Sequence, residues 1–173
     1  MIIRKAVESD ISSAAAVYAA IHTQEETGRA EIGWVRGVYP TEATAQAALA
    51  RGDLFVLECE GVVAGSAIIN QAQCDGYESA EWQHPAEDHE IMVLHTLTIS
   101  PEAAGQGYGK AFVAFYERYA RGQGCKYLRM DTNVKNARAR AMYQKLGYRE
   151  IGIIPTVFNG IEGVNLVLLE KAL

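Results

Sequence analysis

Residues 91 to 110, IMVLHTLTISPEAAGQGYGK, constrain the possible folds of this chain more than any other stretch. The first half is rich in β-branched and bulky apolar residues, a pattern that predicts a buried strand. Pro101 lacks a backbone donor and ends that strand. Glycines at the alternate positions 105, 107 and 109 follow, and the residues after them have helical spacing. The stretch therefore predicts a strand, a glycine-rich loop and a helix in direct succession.

The glycine-rich loop predicts a binding site for phosphate or pyrophosphate. Glycines let the backbone approach a ligand closely, and the helix that follows adds its positive end. The loop is not a P-loop, because Ala104 and Ala111 stand where that motif has its first glycine and its metal-binding hydroxyl. The dinucleotide fingerprint also fails, since the third glycine follows the second too closely. We expect a strand–loop–helix anion site of another kind.

The charge distribution divides the chain into two parts. The net formal charge is −5, yet residues 105 to 149 contain ten Lys and Arg residues against only Glu117 and Asp131. That segment suits a polyanionic ligand, and the acidic remainder suits a cation. Two oppositely charged solvated faces are the simpler interpretation. No nucleic-acid motif or interleaving of basic and aromatic residues is present, so we expect no nucleic-acid partner.

The length of the chain and its cysteines indicate the general class of protein. With 173 residues, we expect a single domain over residues 1–173 with a substantial core. No apolar run reaches membrane-spanning length, and the first ten residues lack signal-peptide features. Cys59, Cys74 and Cys125 are odd in number and lack CxxC spacing, which favours reduced thiols. We expect a cytoplasmic protein with no membrane partner.

The remaining elements follow from periodicity and turn residues. Residues 22 to 40 lose periodicity, and we expect them to form a short helix and loop over a pocket. Helices alternate with strands and hairpins, so the fold class is α/β (mixed α+β), with a mixed sheet and helices on its faces. The predicted ranges are strands 2–6, 54–59, 62–70, 127–131, 148–154 and 161–170, and helices 8–21, 41–50 and 136–146.

Two segments carry a resemblance to a known family. The first, LTISPEAAGQGYGKAF at residues 97–112, matches an apolar-x-apolar-x-Pro segment followed by Arg/Gln-x-x-Gly-x-Gly. The second, NARARAMYQKLGY at residues 136–148, matches Asn-x-x-Ala-x-x-x-Tyr-x-Lys-x-Gly-aromatic. In this order and spacing they resemble the GNAT superfamily of acetyl-CoA-dependent N-acetyltransferases. The departure is Ala104, where the family usually has Arg or Gln; a side chain is lost, but the backbone donors remain.

The resemblance implies a fold and a cosubstrate. The fold is a central mixed, mostly antiparallel sheet of six to seven strands flanked by about four helices. The cosubstrate is acetyl-CoA, whose pantetheine arm would pair with the backbone of Leu97, Thr98 and Ile99 as an added strand. Asn136 would hydrogen-bond the pantetheine, although a helix N-cap suits it nearly as well. The pyrophosphate would be held by the amides of Gly105, Gln106, Gly107, Tyr108, Gly109 and Lys110.

The resemblance also implies the catalytic groups of a direct transfer to a primary amine. Tyr143 would protonate the departing CoA thiolate and contact the cofactor, with core packing as its alternative. His95 is our candidate base, because its unperturbed pKa near 6.5 suits proton transfer, and strand alternation places it with Val93 and Leu97. The alternatives are Glu90, water held by His95, or a packed histidine without a catalytic role.

Other chemistries find less support in the sequence. A zinc site from His84, His89 and His95 would match no standard spacing, so we expect no bound metal. Cys125 has no paired histidine, which argues against a cysteine nucleophile. A non-catalytic acyl-CoA-binding sensor and a nucleotide-phosphate binder stay open as alternatives.

The acceptor is the least constrained part of the prediction. Six acids and no Lys or Arg lie between residues 75 and 90, and aromatic residues stand near them and in segment 22–40. This pattern indicates a cationic or amphipathic amine on a small molecule or peptide, and a protein N-terminus or lysine stays open. The candidate substrate-binding residues are Trp34, Tyr39, Tyr77 and Trp82. The apolar strand over residues 164–169 suggests a possible homodimer.

Overall fold

The computed structural model describes residues 1 to 173 and contains one seven-stranded sheet with four α-helices. This arrangement confirms the predicted fold class. The strands are β1 (Ile2–Lys5), β2 (Leu54–Cys59), β3 (Val62–Asn70), β4 (Ile91–Ile99), β5 (Tyr127–Asn133), β6 (Arg149–Phe158) and β7 (Ile161–Ala172). The helices are α1 (Ile11–Glu26), α2 (Glu42–Arg51), α3 (Tyr108–Gly122) and α4 (Ala137–Lys145).

The strand order is β1-β2-β3-β4-β5-β7-β6, and all neighbouring pairs are antiparallel except β4 and β5. A parallel pair needs a crossover connection, which α3 supplies here. Since β4 and β5 run in the same direction, their carboxyl ends lie at one edge of the sheet. The glycine-rich loop after β4 and the turn into α4 after β5 are therefore brought to the same edge.

Local sequence signals set most element boundaries. Glu60 and Gly61 both adopt positive φ, at 52° and 80°, as a two-residue turn between β2 and β3 requires. Thr41 is the N-cap of α2, and Gly52 ends that helix in the left-handed conformation. Helix α1 starts later and runs further than the predicted range 8–21, because a 3₁₀ turn takes Glu8–Asp10 and the good helix formers before Thr27 extend it to Glu26.

Apolar side chains cover both faces of the sheet. On one face, α3 and α4 bury the largest cluster, which includes Phe112, Tyr116 and Tyr143. On the other face, α1 and α2 cover β2 and β3, and the segment from residue 71 to 90 covers β4 and β7. None of the helices combines the length and apolar character required to cross a lipid bilayer.

A bulge in β4 separates the two halves of that strand. Ser66 pairs with Thr98 and Ile68 with His95, so β4 uses one more residue than β3 over this stretch. Thr96 has a φ of 50°, which a β-branched residue rarely adopts. Beyond the bulge, Leu97 packs into the cluster beneath α3, on the face opposite Val93. The expectation that Leu97 shares a face with His95 is therefore wrong.

Strand β7 lies inside the sheet rather than at an edge. It pairs with β5 on one side and β6 on the other, and Leu166 to Leu169 are buried within the chain. The apolar run that suggested a homodimer is thus used by the protein's own core. It presents no free strand edge to a second copy.

Candidate active site

A cavity of about 1090 Å³ lies where β4 and β5 diverge. The parallel pairing ends at Leu94 and Met130, so β4 has no strand partner on that side from His95 onward. The walls come from the loop between α1 and α2, from β4, the glycine-rich loop, β5 and α4, and from the β6–β7 hairpin. Leu97, Thr98 and Ile99 line the part nearest the glycine-rich loop.

The glycine-rich loop presents a row of free backbone donors. Gly105 and Gly107 have φ values of 82° and 78°, and Gly107 is the N-cap of α3. The amides from Gly105 to Lys110 donate to no backbone carbonyl, and hydrogen bonding within the helix resumes at Ala111. Such a row at a helix N-terminus favours an anion. Gln106 itself is exposed and lies outside the cavity lining, so only its amide belongs to this row.

Basic and amide side chains extend the site towards α4. Lys110 and Arg138 line the cavity and give this end a positive charge. Asn136 is the N-cap of α4, and its Oδ1 accepts the N–H of Ala139 at 3.1 Å. The capping role weighed from the sequence is therefore real. The Nδ2 group of Asn136 makes no hydrogen bond within the protein and can still donate to a ligand.

Tyr143 lies on α4 and lines the cavity. The ring is buried against Tyr148 and the core beneath α4, and the hydroxyl makes no hydrogen bond within the protein. Burial, followed by the negative charge of Asp131, raises the pKa of Tyr143. The hydroxyl is therefore protonated at neutral pH and can donate a proton or hydrogen bond to a group in the cavity.

His95 is held by hydrogen bonds on both ring nitrogens. Asn70 donates to Asp53 through Nδ2 and accepts from the Ala72 amide through Oδ1, which fixes the orientation of its side-chain amide. Nε2 of His95 lies 3.0 Å from that Oδ1 and must carry the proton, while Nδ1 faces the Cys74 thiol at 3.4 Å. Burial lowers the pKa of His95 to about 4. This corrects the expectation of a pKa near 6.5 and leaves the ring neutral at pH 7.

The structure adds a residue that the sequence interpretation missed. Asp131 lies on β5 at the first position beyond the pairing with β4, across the gap from His95. Its Oδ2 accepts the hydroxyl hydrogen of Tyr77 at 2.8 Å. Burial raises the pKa of Asp131, while the hydrogen bond from Tyr77 acts in the opposite direction. The sequence contained one signal for Asp131, which is one of only two acids in the basic segment of residues 105 to 149.

The four aromatic residues predicted to bind substrate separate into two pairs. Trp34 and Tyr39 line the cavity and pack edge to face at 6.1 Å, and Tyr39 packs in the same manner on Phe158 at 5.4 Å. Tyr77 and Trp82 do not line it: Tyr77 is only 1% exposed, and Trp82 packs on it from outside. The structure corrects the expectation for this second pair, which supports the cavity from behind.

Comparisons with known proteins identify the family and agree with this fold. A family model described as the Acetyltransferase (GNAT) family matches residues 18–148, well over half of the chain, and the protein belongs to this family. An uncharacterized N-acetyltransferase of Methanocaldococcus jannaschii is 29% identical over 77 residues, which are 44% of this chain and 49% of that protein. A second from the same organism is 26% identical over 100 residues, covering 58% of this chain and 40% of that protein.

The chain thus spans about half the length of the curated relatives it matches or less. Among solved structures, a GNAT-family acetyltransferase from Streptococcus agalactiae superposes with a TM-score of 0.81 at 22% identity, covering 99% of this chain and 95% of that one. At this identity the superposition establishes the shared fold alone. Members of the family use acetyl-CoA as the acetyl donor.

Proposed function

We propose that the protein transfers an acetyl group from acetyl-CoA to a primary amine of a small molecule or peptide, by direct attack and without a covalent enzyme intermediate. The observation that carries this proposal is the row of free amides from Gly105 to Lys110, which opens into the same cavity as the Tyr143 hydroxyl. One group of residues can hold an anion, and a proton donor stands within the same enclosed space.

The residues that line the cavity fit an elongated anionic acyl carrier. The free amides and the N-terminus of α3 can hold its pyrophosphate, with Lys110 and Arg138 adding positive charge. The unpaired side of β4 at residues 97–99 can pair with the amides of the pantetheine arm as a further strand. Asn136 can donate to the same arm through Nδ2. When bound, acetyl-CoA supplies an activated acetyl thioester.

Tyr143 is the acid of the proposed reaction. Its hydroxyl is protonated and unpaired within the protein, so it can donate to the sulfur as negative charge develops there. Because the ring is packed against Tyr148, the hydroxyl is held in place without a hydrogen bond of its own.

The role we propose for His95 differs from that of the catalytic base indicated by the sequence. With a pKa of about 4, it is a weak proton acceptor at neutral pH, although Nδ1 still offers a lone pair. We assign it a positioning role, in which Nε2 links to Asn70 and Nδ1 orients the Cys74 thiol beside the cavity.

Isothermal titration with acetyl-CoA tests the cosubstrate, and release of CoA thiol over an amine and peptide panel tests the reaction. We expect binding, and thiol release that depends on the amine. Gly107→Ala places a side chain at a φ of 78°, a conformation that costs about 1–2 kcal/mol. The free loop relaxes out of this conformation and binding has to restore it, so acetyl-CoA affinity falls about tenfold. Gly122→Ala is the matched control, because a Cβ there meets open space at the far end of α3.

Two results would contradict the proposal in different ways. The absence of both binding heat and a thermal shift at millimolar acetyl-CoA rules out the cosubstrate. Tight binding without thiol release for any amine would instead make the protein a non-catalytic acyl-CoA sensor, the alternative left open by the sequence.

A further inference from the structure

We propose that Asp131 binds the ammonium group of the acceptor and takes its proton, and that the acceptor is a primary amine carrying an apolar or aromatic group. The inference rests on the proposed acetyl transfer and extends it to the acceptor. Asp131 is the one carboxylate among the residues that line the cavity, and it lies at the gap between β4 and β5.

The position of Asp131 follows from the sheet. Arg129 and Asp131 lie on the same face of β5, but the pairing with β4 stops at Met130 between them. Asp131 is therefore the first β5 residue whose side chain meets the cavity instead of the neighbouring strand. Tyr39 of the aromatic wall and Tyr143, the proposed acid, line the same cavity as Asp131.

Asp131 lacks the cation that other shielded acids in the protein have. The buried or half-buried carboxylates of Asp10, Asp53, Glu58, Glu90, Glu117, Glu150 and Glu170 each lie in an ion pair with Lys or Arg. Glu25, also without such a pair, accepts two backbone N–H groups instead. The one hydrogen bond to the Asp131 carboxylate comes from the neutral hydroxyl of Tyr77. A positive group is missing at this position, and the cavity leaves room for one.

The protein's own cations do not fill that position. Four cationic residues line the cavity: Arg29, Arg51, Lys110 and Arg138. None of them forms an ion pair with Asp131, Arg51 being paired with Asp53 instead, and no Lys or Arg is among the groups that shift the pKa of Asp131. The Tyr77 hydroxyl donates to Oδ2 of Asp131 and thereby orients the carboxylate. Oδ1 of Asp131 lies in no ion pair. An ammonium group with three N–H donors suits this oxygen.

The aromatic wall specifies the rest of the acceptor. Trp34, Tyr39 and Phe158 pack edge to face in sequence and line the same cavity as Asp131. The Tyr39 hydroxyl hydrogen-bonds Thr96 in the β4 bulge, which fixes the wall against the strand that carries His95. An apolar or aromatic group attached to the ammonium can pack here.

The proton transfers of the proposed step balance. Asp131 takes one proton from the ammonium, and the freed nitrogen lone pair forms the new C–N bond to the acetyl carbon. The C–S bond breaks with its electron pair going to sulfur, which takes the Tyr143 proton. The nitrogen then loses a second proton, which restores Tyr143, and Asp131 releases its proton to solvent. The products are an amide, CoA thiol and one proton.

Titration of simple probes into the protein saturated with CoA tests the inference without turnover. We expect 2-phenylethylamine to bind more tightly than 2-phenylethanol, which lacks the charge, and than ethylamine, which lacks the ring. Asp131→Asn should weaken 2-phenylethylamine at least tenfold and leave 2-phenylethanol unchanged, because only a charge-assisted hydrogen bond is lost. The matched control is Asp75→Asn, an exposed acid outside the cavity, which should alter neither affinity.

Each contrary result identifies what fails. Equal affinity of Asp131→Asn and the unmodified protein for 2-phenylethylamine overturns the role of Asp131, and equal affinity for 2-phenylethylamine and ethylamine overturns the apolar acceptor. Both results can occur while acetyl-CoA still binds and releases thiol, so they leave the proposed function intact. Failure of acetyl-CoA binding removes the proposed function itself, whatever the amine probes show.

Discussion

Arg129 and Asp131 lie two residues apart on β5 and share one face of the sheet, yet their electrostatic surroundings are opposite. Arg129 is 4% exposed; its Nε lies 3.5 Å from Glu170, Nη1 donates to Gln73, and its guanidinium lies 4.0 Å from the Trp82 ring. Asp131 has no cation at all. The comparison teaches that a buried charge paired with an opposite charge holds the fold together, whereas a charge left unpaired beside a cavity points to a ligand.

The largest predicted effect is a loss of stability when Arg129, the residue with the paired charge, is replaced. Arg129→Met leaves Glu170 buried without a cation, and we expect the free energy of unfolding to fall by about 3–5 kcal/mol in urea denaturation. The double variant Arg129→Met/Glu170→Gln should recover part of this loss, because the uncompensated charge is gone. A single variant within about 1 kcal/mol of the unmodified protein would show that the pair is not structural.

The second prediction concerns Tyr143, which faces the charge of Asp131 in the cavity. Tyr143→Phe removes the proposed proton donor but keeps the ring, so we expect kcat to fall about 100-fold while acetyl-CoA affinity changes less than about twofold. Tyr148→Phe is the control, since its hydroxyl bonds to Glu117 at 3.1 Å outside the cavity. A collapse of acetyl-CoA affinity in Tyr143→Phe would make that hydroxyl part of binding rather than catalysis.

The third prediction tests the residue across the gap from Asp131. Burial holds the pKa of His95 at about 4 against 6.5 in the unfolded chain, so the unfolded state binds more protons between these values. Stability from this group is therefore present above pH 6.5 and is lost as pH falls towards 4, with about 2 kcal/mol gone by pH 5. His95→Gln retains an N–H donor for Asn70 and should flatten that part of the stability profile. An unchanged pH dependence would mean that His95 titrates normally.

The smallest predicted effect is a change in stability when Asp131, the residue with the unpaired charge, is replaced. The pKa of Asp131 is raised in the folded state, so its ionisation at neutral pH opposes folding, and stability from this group is lost as pH rises through the folded pKa. Asp131→Asn should therefore raise the free energy of unfolding at pH 7 by about 1 kcal/mol, while it weakens amine binding. A clear loss of stability in this variant would assign Asp131 to the same structural class as Arg129.

Much of the fold could be predicted because local signals and the global arrangement agree. Thr41 and Gly52 bound α2, and the turn at Glu60 and Gly61 fixes the β2–β3 hairpin. Gly105 and Gly107 precede α3. The sequence also supplied the family, since both of its motifs are continuous segments. The bulge in β4 was not predicted, because no residue pattern in the strand indicates an extra residue. The bulge places Leu97 on the opposite face of the sheet from the predicted one.

The sequence by itself determined the elements, the donor-rich loop and the family, because these depend on residues close together in the chain. Only the tertiary structure decided which charges are paired. Arg129 pairs with Glu170 because β5 and β7 are neighbouring strands. Asp131 instead lines a cavity, because the pairing of β5 with β4 ends at the residue before it. Burial by distant segments likewise sets the pKa of His95. Desolvation and charge pairing act through space, so composition and spacing along the chain do not specify them.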